Sequence, residues 1–291
     1  MSFQTSLDLR NPDLAVEHSS YVNGVELPQN PCHTYLLWNQ RANGFKYSVK
    51  QEDGTYQDAV LGVPLTVMPF RVAFHIGGFH TGYQSGFFSN EFTNLEKELI
   101  HVRIHSKKNS DGIRPKPINF ALGTFNEIQE KVINAKGKVR WLLYCITQKK
   151  NIICLKFHDA AVSELTYYLE KKIPFPHVVN IVSRNYTNDH GTFHLPVFVP
   201  DPNAKIEAGN WVKDLIQSDK EYIDTKREND NKFIEKYAKE SNYTPGQKQV
   251  ESKSNDVVED FDQIAKEVVT EIDEGVDDPK GTPRIPKDLP F

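Results

Sequence analysis

The chain has 291 residues, 38% apolar residues and a net charge of −4, divided between a mildly basic part (+4 over residues 1–205) and an acidic remainder (−8). This length allows one large domain with appendages, and no apolar run reaches the roughly 18 residues that a membrane-spanning helix needs. The three cysteines, Cys32, Cys145 and Cys154, cannot all pair and lack zinc-site spacing, which indicates a reduced, cytoplasmic protein (host cytoplasm if viral). The first residues lack the basic start and apolar block of a signal peptide.

The predicted elements begin after an irregular polar arm over residues 1–30. Between residues 31 and 205, short apolar runs of strand length alternate with turn residues, which predicts a mostly β domain. Two stretches inside it, residues 125–135 and 160–171, place apolar side chains at helical spacing. Several short strands with an inserted helix favour an OB-fold-like barrel, and a β-sandwich is the alternative.

The strand pattern ends near residue 205. Residues 206–240 are charged and helix-favouring, and they predict a helix that either docks on the barrel or stays solvated. Residues 241–291 predict a linker and a disordered acidic tail. The tail ends in a free apolar tip of the kind that another protein binds, formed by Asp288, Leu289, Pro290 and Phe291.

Aromatic and basic residues are interleaved between residues 70 and 125, and this pattern predicts binding of single-stranded nucleic acid. Such a strand is held by bases stacked on aromatic rings and by cations along the phosphates. Tyr83 and Phe87 are the first candidates, because the neighbouring Gly82 and Gly86 permit close approach. The further candidates are Trp38, Phe45, Tyr47, Arg71, Arg103, Lys107, Lys108, Arg114, Lys116, Lys138, Arg140 and Trp141.

Enzyme motifs are absent from the sequence: it has no glycine-rich nucleotide loop, no nucleophile elbow and no HExxH, and no cofactor is expected. His101 and His105 share one face of a predicted strand. A metal enzyme built on them is the least favoured hypothesis, because no carboxylate or cysteine lies at matching spacing.

Two parts of the sequence resemble known families. The succession NPCHTYLLWNQ, PLTVMPFRVAFHIGGF, SGFFSNEF, a basic loop, FALGTFNEIQEKV, GKVRWLLYCIT and NIICLKFHDAA resembles the OB-fold single-stranded-DNA-binding proteins of bacteriophages over about residues 30–200, most sharply at residues 86–91. The tip at residues 288–291 is similar to that of bacterial single-stranded-DNA-binding proteins, although Lys280, Arg284 and Lys287 interrupt the acidity before it.

The resemblance implies a protein that coats and protects single-stranded DNA during replication, recombination or repair, and that recruits partner proteins through its tip. Self-association on DNA is left open, and stacking does not distinguish DNA from RNA. The alternative from another class is a virion or assembly β-domain with a protein-docking tail and no role with nucleic acid.

Overall fold

A computed structural model describes part of the chain, namely residues 21–22, 25–26, 28–51, 55–105, 116–188, 191–203, 209–241 and 243–246. The strands are β1 (Tyr21–Val22), β2 (Val25–Glu26), β3 (Cys32–Asn39), β4 (Gly44–Lys50), β5 (Tyr56–Gly62), β6 (Leu65–His80), β7 (Ser85–Ser89), β8 (Ile100–Ile104), β9 (Ile118–Gly123), β10 (Gly137–Thr147), β11 (Ile152–Phe157), β12 (Val179–Asn188) and β13 (Gly191–Pro200). The helices are α1 (Phe125–Asn134), α2 (Ala160–Glu170) and α3 (Asn210–Glu240). The prediction of a mostly β protein is confirmed.

Eleven strands form one large sheet, with the order β5-β4-β3-β11-β10-β6-β7-β8-β9 and with β12 joining β6 to β13. The pair β3–β11 is parallel and its neighbours are antiparallel. Among the described strands the path ends at β5 and at β9, so the sheet is open.

The long strand β6 organises this sheet. Its first residues pair with β12, its last four pair with β7, and β10 follows it along most of its length. The β6–β10 register shifts where Tyr144 faces Arg71 and Cys145 faces Pro69. Proline has no N–H for a ladder bond, so an irregularity here suits the sequence. One consequence is that Phe70 and Arg71, although consecutive, both contribute to the same side of the sheet: Phe70 joins the cluster that contains Tyr144, and Arg71 stacks on the Tyr144 ring.

The two faces of the sheet are distinct because side chains alternate along each strand. The inner face carries the larger core, which includes Trp38, Phe45, Phe74, Trp141 and Phe157 and is covered by apolar residues of α1 and α2. The outer face carries a second cluster, which includes Ala73, Leu142, Tyr144 and Cys154. Aromatic rings of the inner face pack edge to face, as Phe74 does on Trp141 with 4.8 Å between centroids.

Helix α3 is docked on the outer face, which decides between the two alternatives left open by the sequence. Trp211, Val212 and Leu215 pack on the second cluster. Asp219 accepts two hydrogen bonds from Arg71, at 2.7 Å from Nε and 3.1 Å from Nη2. Apolar burial and a buried ion pair therefore hold the first half of the helix.

The second half of α3 is held by a carboxylate and a histidine of the sheet. Glu91 accepts hydrogen bonds from Tyr144 Oη (2.7 Å) and Lys226 Nζ (3.4 Å). Burial alone raises the pKa of Glu91, but Lys226, Arg71 and Tyr144 more than offset this and lower it to about 2. Further along, His101 stacks on Tyr237, with 4.8 Å between ring centroids.

We expect acid to weaken the contact between His101 and Tyr237 of α3. The His101 side chain is buried, Nε2 lies 3.0 Å from Asn119 Oδ1, and Nδ1 has no partner. Burial and then Arg103 lower its pKa from 6.5 to about 4. The unfolded chain therefore binds an extra proton as the pH falls from 6.5 to 4, so folding is most stable above this window and loses stability through it. Phenylalanine at position 101 keeps the stacked ring but cannot bind a proton. Between pH 7 and about pH 5, we therefore expect the free energy of unfolding, measured in urea, to fall by about 2 kcal/mol more in the wild type than in His101→Phe.

His33→Phe is the matched control, because His33 is exposed on β3. Its stability curve should run parallel to that of the wild type. The explanation is wrong if the His101→Phe curve is parallel as well. His75, whose pKa burial lowers to about 3, adds pH dependence of the same sign to all three proteins.

Candidate nucleic-acid interface

One side of the sheet combines cations with aromatic rings. Cross-strand partners share a face, and the pairs Leu37–Lys46, Leu37–Lys156, Lys156–Leu142, Gly77–Lys138, Gly77–Phe88 and Phe88–Arg103 connect seven strands of the outer face. We call the half-buried and exposed members of this row the cationic face; they are Leu37, Lys46, Phe79, Phe88, Arg103, His105, Lys138, Arg140 and Lys156.

Aromatic rings on this face are paired with basic groups. The rings of Phe88 and His105 are stacked, with 4.2 Å between centroids and 17° between planes. The Arg103 guanidinium lies 4.6 Å from the centre of the Phe88 ring, and Lys156 Nζ lies 4.5 Å from the centre of Tyr35. Such cation–π contacts keep cations beside aromatic rings. Because the Phe88 ring is already stacked on His105, the exposed rings of Phe79 and Tyr83 are the ones open to a base.

The exposed end of the face is the β6–β7 hairpin. Phe79 is 55% exposed and Tyr83 is 48% exposed, and Tyr83 rests edge-on against His80. The end of β8 lies beside this hairpin, because His105 donates its backbone N–H to the carbonyl of Gly86 at 3.0 Å. The start of β10 lies on the other side, where Gly137 pairs with Gly78. Two large apolar rings are thus presented to solvent at one end of the sheet.

Arg140 occupies a notch on this face. It pairs with His75 across β10 and β6, and its side chain extends over Gly77, where an added Cβ would lie 2.8 Å from Arg140 Nε. Burial, and then Lys156 and Arg140, lower the pKa of His75 to about 3, so the imidazole is neutral at pH 7. Burial also lowers the pKa of Lys156 and of Arg140. The notch therefore combines two partly buried cations with a neutral imidazole.

Four of the predicted stacking residues lie in the core and not on an exposed surface. Trp38, Phe45, Phe87 and Trp141 are at most 5% exposed and belong to the inner core, and Trp38 Nε1 donates to the carbonyl of His194. Packing a core of this size requires large rings, which is the physical reason that the prediction misplaced them. Tyr47 is half-buried against the same core.

The predicted basic residues fall into four groups. Arg71 is committed to Asp219 and lies beneath α3, so its predicted DNA contact is replaced by a structural one. Arg103, Lys138 and Arg140 lie on the cationic face. Arg103 also contacts α3, with its guanidinium 5.6 Å from the centre of the Phe233 ring, whereas Lys138 is exposed, with Nζ 3.0 Å from Asp159. Lys116 is exposed just before β9. Outside the described residues are Lys107, Lys108, Arg114, Asp288, Leu289, Pro290 and Phe291.

Sequence reasoning missed Phe79, Phe88, His105 and Lys156. Alternation of side chains along the strand would have identified Phe88. Residues 86 and 88 lie on the same face of β7, and Phe87 lies on the opposite face. A Cβ at Gly86 would meet His105 at 3.6 Å, which confirms that the space lies on the cationic face.

The described residues provide no further metal ligands beside His101 and His105. Across the part of the chain that the structure describes, no group of three or more His, Cys, Asp or Glu side chains is placed to hold an ion. His101 is instead held by Asn119 and His105 by the Phe88 ring. The described helices also include none that is both long and apolar enough to cross a membrane.

No protein family, no curated protein and no solved structure matches this chain. The geometry of the cationic face and the sequence features outside the described residues are therefore the basis for a functional proposal.

Proposed function

We propose that this chain is a single-stranded-DNA-binding protein that coats and protects DNA during replication, recombination or repair. The observation that carries the proposal is the cationic face, on which Arg103, Lys138, Arg140 and Lys156 are interleaved with the rings of Phe79 and Phe88. Cations hold phosphates and rings stack bases irrespective of sequence, with about 1–3 kcal/mol per stacked base.

The size of the face suits a short segment of nucleic acid. It crosses seven strands from Lys46 on β4 to Arg103 on β8. With neighbouring strands about 4.8 Å apart, it spans roughly 29 Å. A strand laid across the sheet would meet the cations of β10 and β11 in turn and the exposed ring of Phe79 at the hairpin, which is compatible with the footprint of about 4–16 nucleotides per OB fold.

We further propose an OB-type origin for the segment from β6 to β11. It contains a long first strand, β6, that pairs with both β7 and β10, and helix α1 is inserted before β10. These features support the predicted barrel relationship. The extra strands β3, β4 and β5 extend the sheet from β11, where a compact barrel would close.

The acidic tail is proposed to recruit replication or repair proteins. Its support is the net charge of −6 over residues 241–291 (6 Lys and Arg against 12 Asp and Glu) and the likeness of residues 288–291 to the bacterial tip. A bacteriophage origin and self-association on DNA belong to the same proposal, and their support is the sequence resemblance alone.

Titration of a labelled oligo-dT of about thirty nucleotides tests the function. We expect binding whose affinity falls linearly with the logarithm of salt concentration between about 50 and 200 mM, with a slope near −0.7 for each phosphate neutralised. A chain ending at residue 256 should keep or gain affinity, because it lacks acidic residues that repel DNA. The control is a duplex of the same length, which should bind more weakly. Absence of binding at the lowest salt would exclude the proposal and favour an assembly domain.

A further inference from the structure

Two cations of the cationic face lie close together without a direct acidic partner. Arg140 and Lys156 are diagonal neighbours, because Lys156 pairs with Leu142, two residues along β10 from Arg140. Diagonal neighbours on one face are roughly 7–8 Å apart at the backbone, within reach of long side chains. Among the described residues, no carboxylate oxygen lies within 4.0 Å of either charged group.

The acid that acts on Arg140 is already committed. Asp159 lies 3.0 Å from Lys138 Nζ and 2.6 Å from His158 Nδ1. It acts on Arg140 only over a longer distance, and the burial of Arg140 outweighs it, because the pKa of Arg140 is lowered overall. The two half-buried cations repel each other, and their compensation is partial: Glu91 and the Tyr35 ring act on Lys156, yet burial still lowers the pKa of both cations overall, so binding of an anion between them is favoured.

The backbone leaves room for one of these cations. Gly77 has no side chain, so the arm of Arg140 lies directly over the strand, with an ideal Cβ position 2.8 Å from Nε and 2.9 Å from Cζ. The guanidinium is a planar fork that suits phosphate oxygens, and an ammonium beside it adds a point charge.

We propose that Arg140, seated over Gly77, and Lys156 form a site for one phosphate group. The phosphodiester of single-stranded DNA is the ligand that the cationic face favours, and to that extent the site rests on the proposed function. A free phosphate or a nucleotide presents the same oxygens. The neutral imidazole of His75 lies next to Arg140 in the ladder and adds no competing charge.

Two pairs of variants test the site. Arg140→Gln removes the charge, and Lys97→Gln removes an exposed charge outside the cationic face. Gly77→Ala keeps every charge but moves the distal atoms of Arg140, which are flexible, so the fold should tolerate it. Gly62→Ala is its control, because a Cβ there meets no atom within 4 Å.

The first measurement uses inorganic phosphate as the probe. The melting temperature of the whole chain is compared in phosphate and in chloride at equal ionic strength. The wild type should melt about 3 °C higher in phosphate at roughly ten times the dissociation constant. The two control variants should show the same shift, and Arg140→Gln and Gly77→Ala should lose it.

The second measurement uses the labelled oligo-dT. Arg140→Gln should bind about 5- to 10-fold more weakly at low salt, with a salt slope smaller by about 0.7, and Gly77→Ala should weaken binding in the same direction. If DNA binds but all four variants behave alike, the phosphate site is overturned and the proposed function survives. If DNA does not bind but the phosphate shift depends on Arg140, the site stands with free phosphate or a nucleotide as its ligand and the proposed function falls. If neither probe binds, both proposals fall.

Discussion

Replacing Asp219 by alanine is expected to lower the free energy of unfolding by about 3–5 kcal/mol, as measured by urea unfolding at neutral pH. Asp219 is buried and accepts two hydrogen bonds from the Arg71 guanidinium, 2.7 Å and 3.1 Å long. Without it, Arg71 stays buried under α3 with Glu91 as its remaining acidic partner, whose Oε2 lies 3.5 Å from Nη1 without a hydrogen bond. The cost comes from the Nε and Nη2 groups that lose their acceptor in a buried site.

Two comparisons separate this explanation from a general loss of helix. Asp224→Ala removes an exposed partner of Lys220 on the same helix, and no measurable change is expected. The double variant Arg71→Met with Asp219→Leu should recover most of the stability, because it removes both charges and keeps apolar volume. If Asp219→Ala costs less than about 1 kcal/mol, apolar packing of Trp211 and Val212 alone docks the helix.

The helices whose apolar residues recur at helical spacing could be predicted from the sequence. The apolar spacing of Val162, Leu165 and Leu169 predicts α2, and all three are buried. In α1, Ile128 and Val132 are buried as predicted, whereas Ile133 is 53% exposed, because it lies one position beyond the buried stripe. The periods are local properties, so they are visible without the tertiary structure.

The face of the sheet on which each strand side chain lies could not be predicted in the same way. Both sides of β6 and β7 carry large apolar residues, because α3 covers part of one side and the main core fills the other. The choice between Phe87 and Phe88 is therefore a property of the assembled sheet. A shift of one residue exchanges the two faces, which is how a buried ring was predicted to bind DNA.

Arg71 shows a second limit. Its place beneath α3 depends on the register shift opposite Tyr144 and Cys145, and that shift requires knowledge of the partner strand. Its partner Asp219 lies 148 residues further along the chain. The residues that neighbour a single arginine in a β-rich sequence do not reveal whether it holds a helix in place or binds a phosphate.

The two faces give opposite expectations for two aromatic substitutions. Phe79→Ala should weaken binding of the oligo-dT by about 5- to 100-fold, which corresponds to one lost base stack, and it should leave stability nearly unchanged because the ring is 55% exposed. Trp141→Ala should cost about 3–5 kcal/mol of stability, because the ring is 2% exposed in the inner core. Its folded fraction should bind DNA as the wild type does.

Anisotropy titrations and urea unfolding of each variant measure the two effects separately. Ile133→Ala is the control for Phe79, since Ile133 is also exposed but lies on α1, away from the cationic face. It should change neither quantity appreciably. Suppose instead that Phe79→Ala binds normally and that Trp141→Ala loses more affinity than its unfolded fraction explains. The bases would then contact the inner face, and because Phe74 and Trp141 are packed together there, strands of the core would have to separate before DNA could enter.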